Sequence, residues 1–268
     1  MADPEFRRDL FRGTARYYDE FRVPYPRSLI DDLAARAGEG GLLLDLACGT
    51  GQLSFALHDR YREVWAVDQE PDMVAMVREK AAAAGIGNIR PVTAAAEELA
   101  APAAAFDLAV IGNAFHRLPR ERVAASVLRW LRPRRCLALV WSDSPWSGDQ
   151  PWQQALAATM QRWRARAGTA GRVPPGYERD RRERPDLVIL EQAGFEVVGS
   201  YRFSATHDWS PAALAGFLFS TSVMSRLALG EHAAPFEEDL RREMLACAPD
   251  GQPRQVIDFG YQLARRPA

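Results

Sequence analysis

A short apolar run, Leu42-Leu43-Leu44-Asp45-Leu46, leads directly into Ala47-Cys48-Gly49-Thr50-Gly51, and no other feature constrains this chain as much. Flanked by Gly40-Gly41 and Gly49, the run has the character of a strand buried on both faces. A buried strand that enters a tight glycine turn and opens a helix presents backbone N–H groups to a ligand, and the glycines let that ligand approach closely. Ser54 stands where a G-x-G-x-x-G dinucleotide fingerprint requires its third glycine. Asp45, at the strand end, is poorly placed beside a pyrophosphate and well placed beside an ammonium group. Asp68 ends the next apolar run, 63–67, where an acidic side chain can accept both hydroxyls of a ribose. The pocket therefore suits a nucleoside joined to an amino acid, not to a diphosphate.

Strands and helices alternate around this turn. Strands are expected at 42–46, 63–67, 89–92, 106–111 and 136–141. Helices are expected at 52–59, at 73–84 with Asp72 as N-cap, and at 120–131 closed by Pro133. Alternation of this kind predicts an α/β fold, a doubly wound and mostly parallel sheet of seven strands covered on both faces. Residues 7–40 read as an N-terminal helical lid broken at Pro24-Tyr25-Pro26, and 41–142 as the ligand-binding core. Residues 143–185, with five prolines, three tryptophans and a string of arginines, read as a lid or acceptor insertion in which a helix at 153–166 precedes a mobile loop. Residues 186–268 complete the sheet with strands at 195–203 and 255–264. They also carry acceptor-side helices within 210–248, one opening at Ser210-Pro211 and running to about Leu229.

Composition narrows the function. The 268 residues carry 34 Lys plus Arg against 35 Asp plus Glu, a balance that argues against a protein built to grip a phosphate backbone. No apolar run approaches the ~20 residues of a membrane span, and a cytoplasmic, membrane-free location is expected. The three cysteines are scattered, and no His, Cys or carboxylate set has metal spacing. Residues 1–6 resemble the translation of two adjoining cloning sites and are set aside.

The D-L-A-C-G-T-G run followed by A-V-D resembles the class I S-adenosylmethionine-dependent methyltransferases of small-molecule type. The resemblance continues in Val92-Thr93-Ala94-Ala95-Ala96-Glu97-Glu98-Leu99, in Phe106-Asp107-Leu108-Ala109-Val110, in Ala114-Phe115-His116-Arg117-Leu118, and upstream in Tyr17-Tyr18-Asp19 and Arg22-Val23-Pro24-Tyr25-Pro26. Ala94 and Ala95 depart from the family's loop after strand three. The resemblance implies a Rossmann-like methyltransferase fold, S-adenosylmethionine as cofactor and S-adenosylhomocysteine as product. It assigns cofactor contacts to Tyr17, Tyr18, Tyr25, Asp45, Ala47, Gly49, Gly51, Asp68, Gln69, Met73, Ala96, Glu97 and Asn113. His116, Asp143 and Tyr18 are the candidate bases, and Trp141, Trp146, Trp152 and Phe217 the candidate acceptor wall. The expected partner is a small-molecule acceptor, in secondary metabolism for example an aminosugar, polyketide or phenol, with a second copy of the chain as a further partner and nucleic acid disfavoured. An NAD-dependent oxidoreductase on the same layered fold and an inactive donor-binding regulator are the alternatives. The arginines between 162 and 184 are expected to form a solvated face, because Glu178, Asp180 and Glu183 dilute them.

Overall fold

The computed structural model describes residues 6–248 and 251–268. Of the stretch set aside as a cloning scar, 1–5 lies outside the described residues, while Phe6 packs edge-on against the Tyr177 ring at 5.2 Å. Helices α1 (Ala15–Phe21) and α2 (Arg27–Ala37) precede strand β1 (Leu42–Leu46). Then follow α3 (Gln52–Leu57), β2 (Glu63–Asp68), α4 (Pro71–Ala83), β3 (Ile89–Thr93), β4 (Phe106–Gly112), α5 (Arg120–Trp130) and β5 (Leu131–Ser142). The remainder is α6 (Pro151–Arg166), α7 (Tyr177–Glu183), α8 (Asp186–Gln192), β6 (Glu196–Asp208), α9 (Pro211–Phe219), α10 (Arg226–Leu229), α11 (Ala233–Cys247) and β7 (Arg254–Arg265).

Among the described residues the strands form one seven-stranded sheet in the order β3-β2-β1-β4-β5-β7-β6. The pairs from β3 to β5 are parallel, and β7 runs antiparallel to both β5 and β6. The central strands β1 and β4 are buried almost throughout, as their unbroken apolar runs require when helices cover both faces. One core face carries Leu43, Val64, Leu108 and Val110 beneath α2 and α9; the other carries Leu44, Ala109 and Ile111 beneath α5 and α8. The sheet reverses direction between β1 and β4, so the carboxyl ends of β1, β2 and β4 open a crevice there.

Four details differ from the sequence expectation. The cap of α4 is Glu70 rather than Asp72, because Pro71 takes the first helical position, where its missing N–H costs nothing. Pro133 does not simply close α5. It lies in an irregular stretch where the β4–β5 register jumps from Phe106↔Leu131 to Leu108↔Cys136, with Arg134 in a left-handed conformation. Helix α9 stops at Phe219 instead of reaching Leu229. The hydroxyls of Ser220 and Thr221 bond back to the carbonyls of Phe217 and Leu218, which competes with helix propagation. The segment after α6 is a one-turn 3-10 helix (Thr169–Arg172) followed by α7, not a loop. It is tied down by the buried Arg120, which pairs with Asp180 and, at 2.9 Å, with Asp186, so part of the arginine-rich stretch faces inward.

Asp107 anchors the amino-terminal edge of the sheet. Its carboxylate accepts the Leu42 N–H at 3.0 Å and meets Arg132 and Arg135 at 3.1 and 3.3 Å. Both arginines are partly exposed and can return to water, so the penalty for losing the carboxylate falls on the half-buried Leu42 N–H. Asp107→Ala is expected to cost about 1–3 kcal/mol, read as a lower urea midpoint with an unchanged slope.

Candidate functional site

The strand-to-helix turn after β1 is held from two sides. Below it, Asp45 is buried and its Oδ2 accepts the Ser54 N–H at 2.9 Å and the Ser54 hydroxyl at 2.6 Å. Ser54, unlike the glycine of a dinucleotide motif, thus ties α3 to β1. Asp45 Oδ1 has no partner, and burial pushes the carboxyl pKa up to about 7. Beside the turn, Asp68 accepts the Gly49 N–H on Oδ2 and the Glu70 N–H on Oδ1, both at 2.9 Å. Burial raises its pKa more than these bonds lower it. Gly49 has φ +56°, and a Cβ there would sit 3.2 Å from the Tyr18 ring, so the position demands glycine for conformation and for space. Ala47, on the other side of Cys48, also adopts a left-handed φ of +52°, unusual for a residue with a side chain.

Ala47, Gly49 and Asp68, but not Asp45, border a cavity of about 530 Å³ at the carboxyl end of the sheet. Of the expected cofactor residues, Tyr18, Ala47, Gly49, Asp68, Gln69, Met73, Ala96, Glu97 and Asn113 line it. Asp45 lies under its floor, and Gly51 is the left-handed N-cap of α3. Two lid tyrosines are turned elsewhere. Tyr17 packs between Phe21 and Phe219, and Tyr25 packs against Phe259 while its hydroxyl accepts from Asn113 Nδ2 at 3.1 Å. Asn113, at φ +51°, also donates to the Ser142 hydroxyl and accepts the Ser142 N–H, which stitches the end of β4 to β5.

A second, narrow pocket adjoins the first, with Tyr18 and Asn113 on the wall of both. It is lined further by Arg22, Gln52, Ser142, Asp143, Trp209, Phe217, Ile257 and Phe259. Phe217 therefore stands where an acceptor wall was expected. Trp146 instead supports Phe217 edge-on at 6.0 Å, Trp152 is buried in the core with its N–H on Gln150, and Trp141 lies under Arg202. Of the candidate bases, Asp143 and Tyr18 meet in this pocket. His116 lines neither cavity. Its Nε2 accepts the Arg117 Nε–H at 3.1 Å, and burial followed by the charge of Arg117 holds its pKa well below the usual range. It is therefore a neutral acceptor for a guanidinium rather than a base aimed at a cavity.

Several lining groups carried no motif signal. Leu10 and Phe11 cover the large cavity, with the backbone there fixed by Gln69 donating to the Arg8 carbonyl at 3.2 Å. The apolar pair in an arginine-rich stretch was the only trace of this in the sequence. Arg117 also lines the cavity, and burial pushes its pKa down to about 10, leaving it protonated at neutral pH. Among the described residues no group of His, Cys, Asp and Glu could hold a metal ion, and no helix is long and apolar enough to cross a membrane.

The cavity fits a nucleoside–amino acid ligand on its own chemistry: an orphaned buried carboxylate oxygen for an ammonium, a second carboxylate at a strand end for a diol, and a glycine turn with no side chain in the way. Comparison with known proteins agrees. Residues 43–134 match the methyltransferase domain family. An uncharacterised methyltransferase of Mycobacterium tuberculosis is 32% identical over 139 residues, 51% of this chain and 54% of that protein, so the chain spans about half the length of the mycobacterial relatives it matches. An uncharacterised methyltransferase of Schizosaccharomyces pombe is 22% identical over 256 residues, 93% of this chain and 92% of that protein. A solved structure from Anaeromyxobacter dehalogenans described as a type II methyltransferase superposes with a TM-score of 0.59 at 23% identity, covering 91% of this chain and 97% of that one, a likeness of fold.

The raised pKa of Asp45 has a definite sign in stability. The folded chain holds this proton more tightly than the unfolded chain does. The stability it contributes is full below the ordinary carboxylate range and is lost as pH rises to about 7. Asp68 acts in the same sense. Between pH 5 and 8 the melting temperature of the ligand-free wild type is expected to fall relative to that of Asp45→Asn. Parallel profiles from scanning calorimetry would contradict this.

Proposed function

We propose that the chain is a class I S-adenosylmethionine-dependent methyltransferase that transfers a methyl group to an oxygen or nitrogen of a small molecule entering past Tyr18, where the narrow pocket of about 10 Å³ would widen around it. The observation that carries this reading is the wall formed by Tyr18 and Asn113, shared by the large cavity and the narrow pocket. A donor in one and an acceptor in the other would meet across it. S-adenosylmethionine, when bound, supplies a methyl group already activated by a positive sulfur. The chain's own contribution is then mainly alignment and exclusion of water.

Asp45 Oδ1 would accept from the ammonium of the donor, and Asp68 from its ribose hydroxyls on the lone pairs that the Gly49 and Glu70 N–H groups leave over. Apolar faces of Trp209, Phe217, Ile257 and Phe259 favour a partly apolar acceptor, in keeping with a phenol or polyketide of secondary metabolism. Asp143 is the base best suited to a hydroxyl acceptor. Burial, reinforced by the nearby Asp258, raises its pKa and makes it a stronger base than an exposed carboxylate. Tyr18 stays protonated, because burial raises its pKa above the usual phenol value, so it orients rather than removes a proton.

Purified protein should gain thermal stability from S-adenosylmethionine and from S-adenosylhomocysteine, and Asp68→Ala should weaken both about tenfold or more in calorimetry. Incubation with isotopically labelled donor and an acceptor panel, read by mass spectrometry, tests transfer. Asp143→Asn should lower kcat for a hydroxyl acceptor about a hundredfold while donor affinity stays within twofold. Unchanged kcat would remove Asp143 as base.

A further inference from the structure

Two guanidiniums converge beside Tyr18 with no carboxylate between them. Arg22 lies over the Tyr18 ring at 4.7 Å and over the Phe217 ring at 4.6 Å. Its Nε donates to the Ser220 hydroxyl at 2.7 Å, and its Nη2 to the Ser220 carbonyl at 3.4 Å. Arg117 approaches the same turn from the cavity side. Its Nε donates to His116, and its Nη1 donates to the Ser222 hydroxyl at 2.8 Å. Among the described residues its Nη2 makes no hydrogen bond and no carboxylate comes within ion-pair distance of it. Of the acidic residues around the same cavity, Glu97 is engaged with Arg8, Glu121 with Arg184 and Asp68 with backbone N–H groups, while Glu70 keeps a buried Oε1 without a partner among the described residues and forms no ion pair with Arg117.

Arg117 is half-buried on the cavity wall, and its present partners, a neutral imidazole, a serine hydroxyl and the face of the Phe11 ring at 5.0 Å, set no negative charge against it. The charge is also not needed to hold the turn, since the hydroxyls of Ser220 and Thr221 already bond within it. Arg117 borders the large cavity and Arg22 the narrow pocket, so an anionic group lying past Tyr18 would meet both.

We propose that Arg117 and Arg22 form a subsite for an oxyanion carried by the acceptor, a carboxylate or phosphomonoester on a small and otherwise apolar organic acid. The proposal rests on the reading of the large cavity as the donor site. The planar fork of Arg117 has the N–H groups to take two oxygens of such a group, and Arg22 adds a second charge from the opposite side. The carboxylates Asp45 and Asp68 and the two guanidiniums would then sort the ligands by charge, a cationic donor toward the acids and an anionic acceptor toward the arginines.

The test uses the full chain saturated with S-adenosylhomocysteine. Calorimetric titration would compare aromatic and aliphatic carboxylates with their neutral amides, alongside phosphomonoesters and inorganic phosphate. At least one carboxylate or phosphomonoester should bind at least tenfold more tightly than its neutral counterpart, and the two arms identify which oxyanion the subsite takes. Arg117→Gln should weaken that ligand tenfold or more, and Arg117→Lys by less, with S-adenosylhomocysteine affinity within twofold of wild type. The proposal is overturned if no acid outbinds its amide, if only inorganic phosphate binds, or if Arg117→Gln chiefly weakens S-adenosylhomocysteine, which would assign the guanidinium to the donor's own carboxylate. Should Arg117→Gln not fold, Arg22→Gln and the acid–amide comparison in the wild type decide. Failure of wild type to bind S-adenosylhomocysteine at all would instead sink the donor reading.

Discussion

The hydrogen bond from the Gly49 N–H to Asp68 joins the ends of β1 and β2, and the site depends on it. Parallel strands leave their carboxyl ends unpaired, and a loop leaving one of them needs a fixed point to return into a helix. Here the fixed point is a carboxylate on the neighbouring strand. It holds the glycine turn open on the cavity side, while Asp45 and Ser54 lock the turn to α3 from below. Both carboxylates are kept away from water and neither meets a cation. That arrangement costs stability in the ligand-free chain and is recovered when a cationic, hydroxyl-bearing ligand arrives. Binding strength is thus stored in desolvated carboxylates rather than in a preformed ion pair.

Tyr18 stands between charges of both signs. Asp68 and Arg117 share the large cavity with it, Arg22 lies over its ring, and Asp45 lies below the glycine turn, so acids and guanidiniums both surround the Tyr18 hydroxyl. Its ring also covers Gly49, so the same residue closes the donor turn and forms part of the narrow pocket. The helix that carries it packs on α9 so closely that a Cβ at Gly216 would fall 2.3 Å from the Phe21 ring. The position of Tyr18 is therefore set by packing around Phe21 and Gly216, remote from the chemistry.

The donor half was legible in the sequence because its signals are local. An apolar run, a glycine turn and an acid at the next strand end lie within 42–68, and short-range rules connect them. Asp45, Gly49 and Asp68 fall where that pattern requires. The acceptor half was legible only in part. Asp143 and Phe217 line the narrow pocket, but Trp209 lay in no motif, Arg22 and Arg117 lay in runs that gave them no role of their own, and His116 read as a base because its partner could not be seen. Trp146 and Trp152 of the insertion read as a cavity wall, yet Trp152 is buried in the core, where α6 is fastened further by Trp163 donating to Asp239 on α11 at 2.8 Å.

By itself, then, the sequence determined the sheet, the turn and the chemistry of the donor pocket, since strand burial, turn geometry and charge at strand ends are properties of neighbouring residues. Only the tertiary structure decided which side chains line the narrow pocket. Tyr18, Asn113, Asp143, Trp209 and Phe217 come from five separated parts of the chain, and they meet because β5, β6 and β7 pair antiparallel beside the switch point while α1 docks on α9. Long-range pairing of this kind depends on how whole surfaces fit together, which no local pattern records.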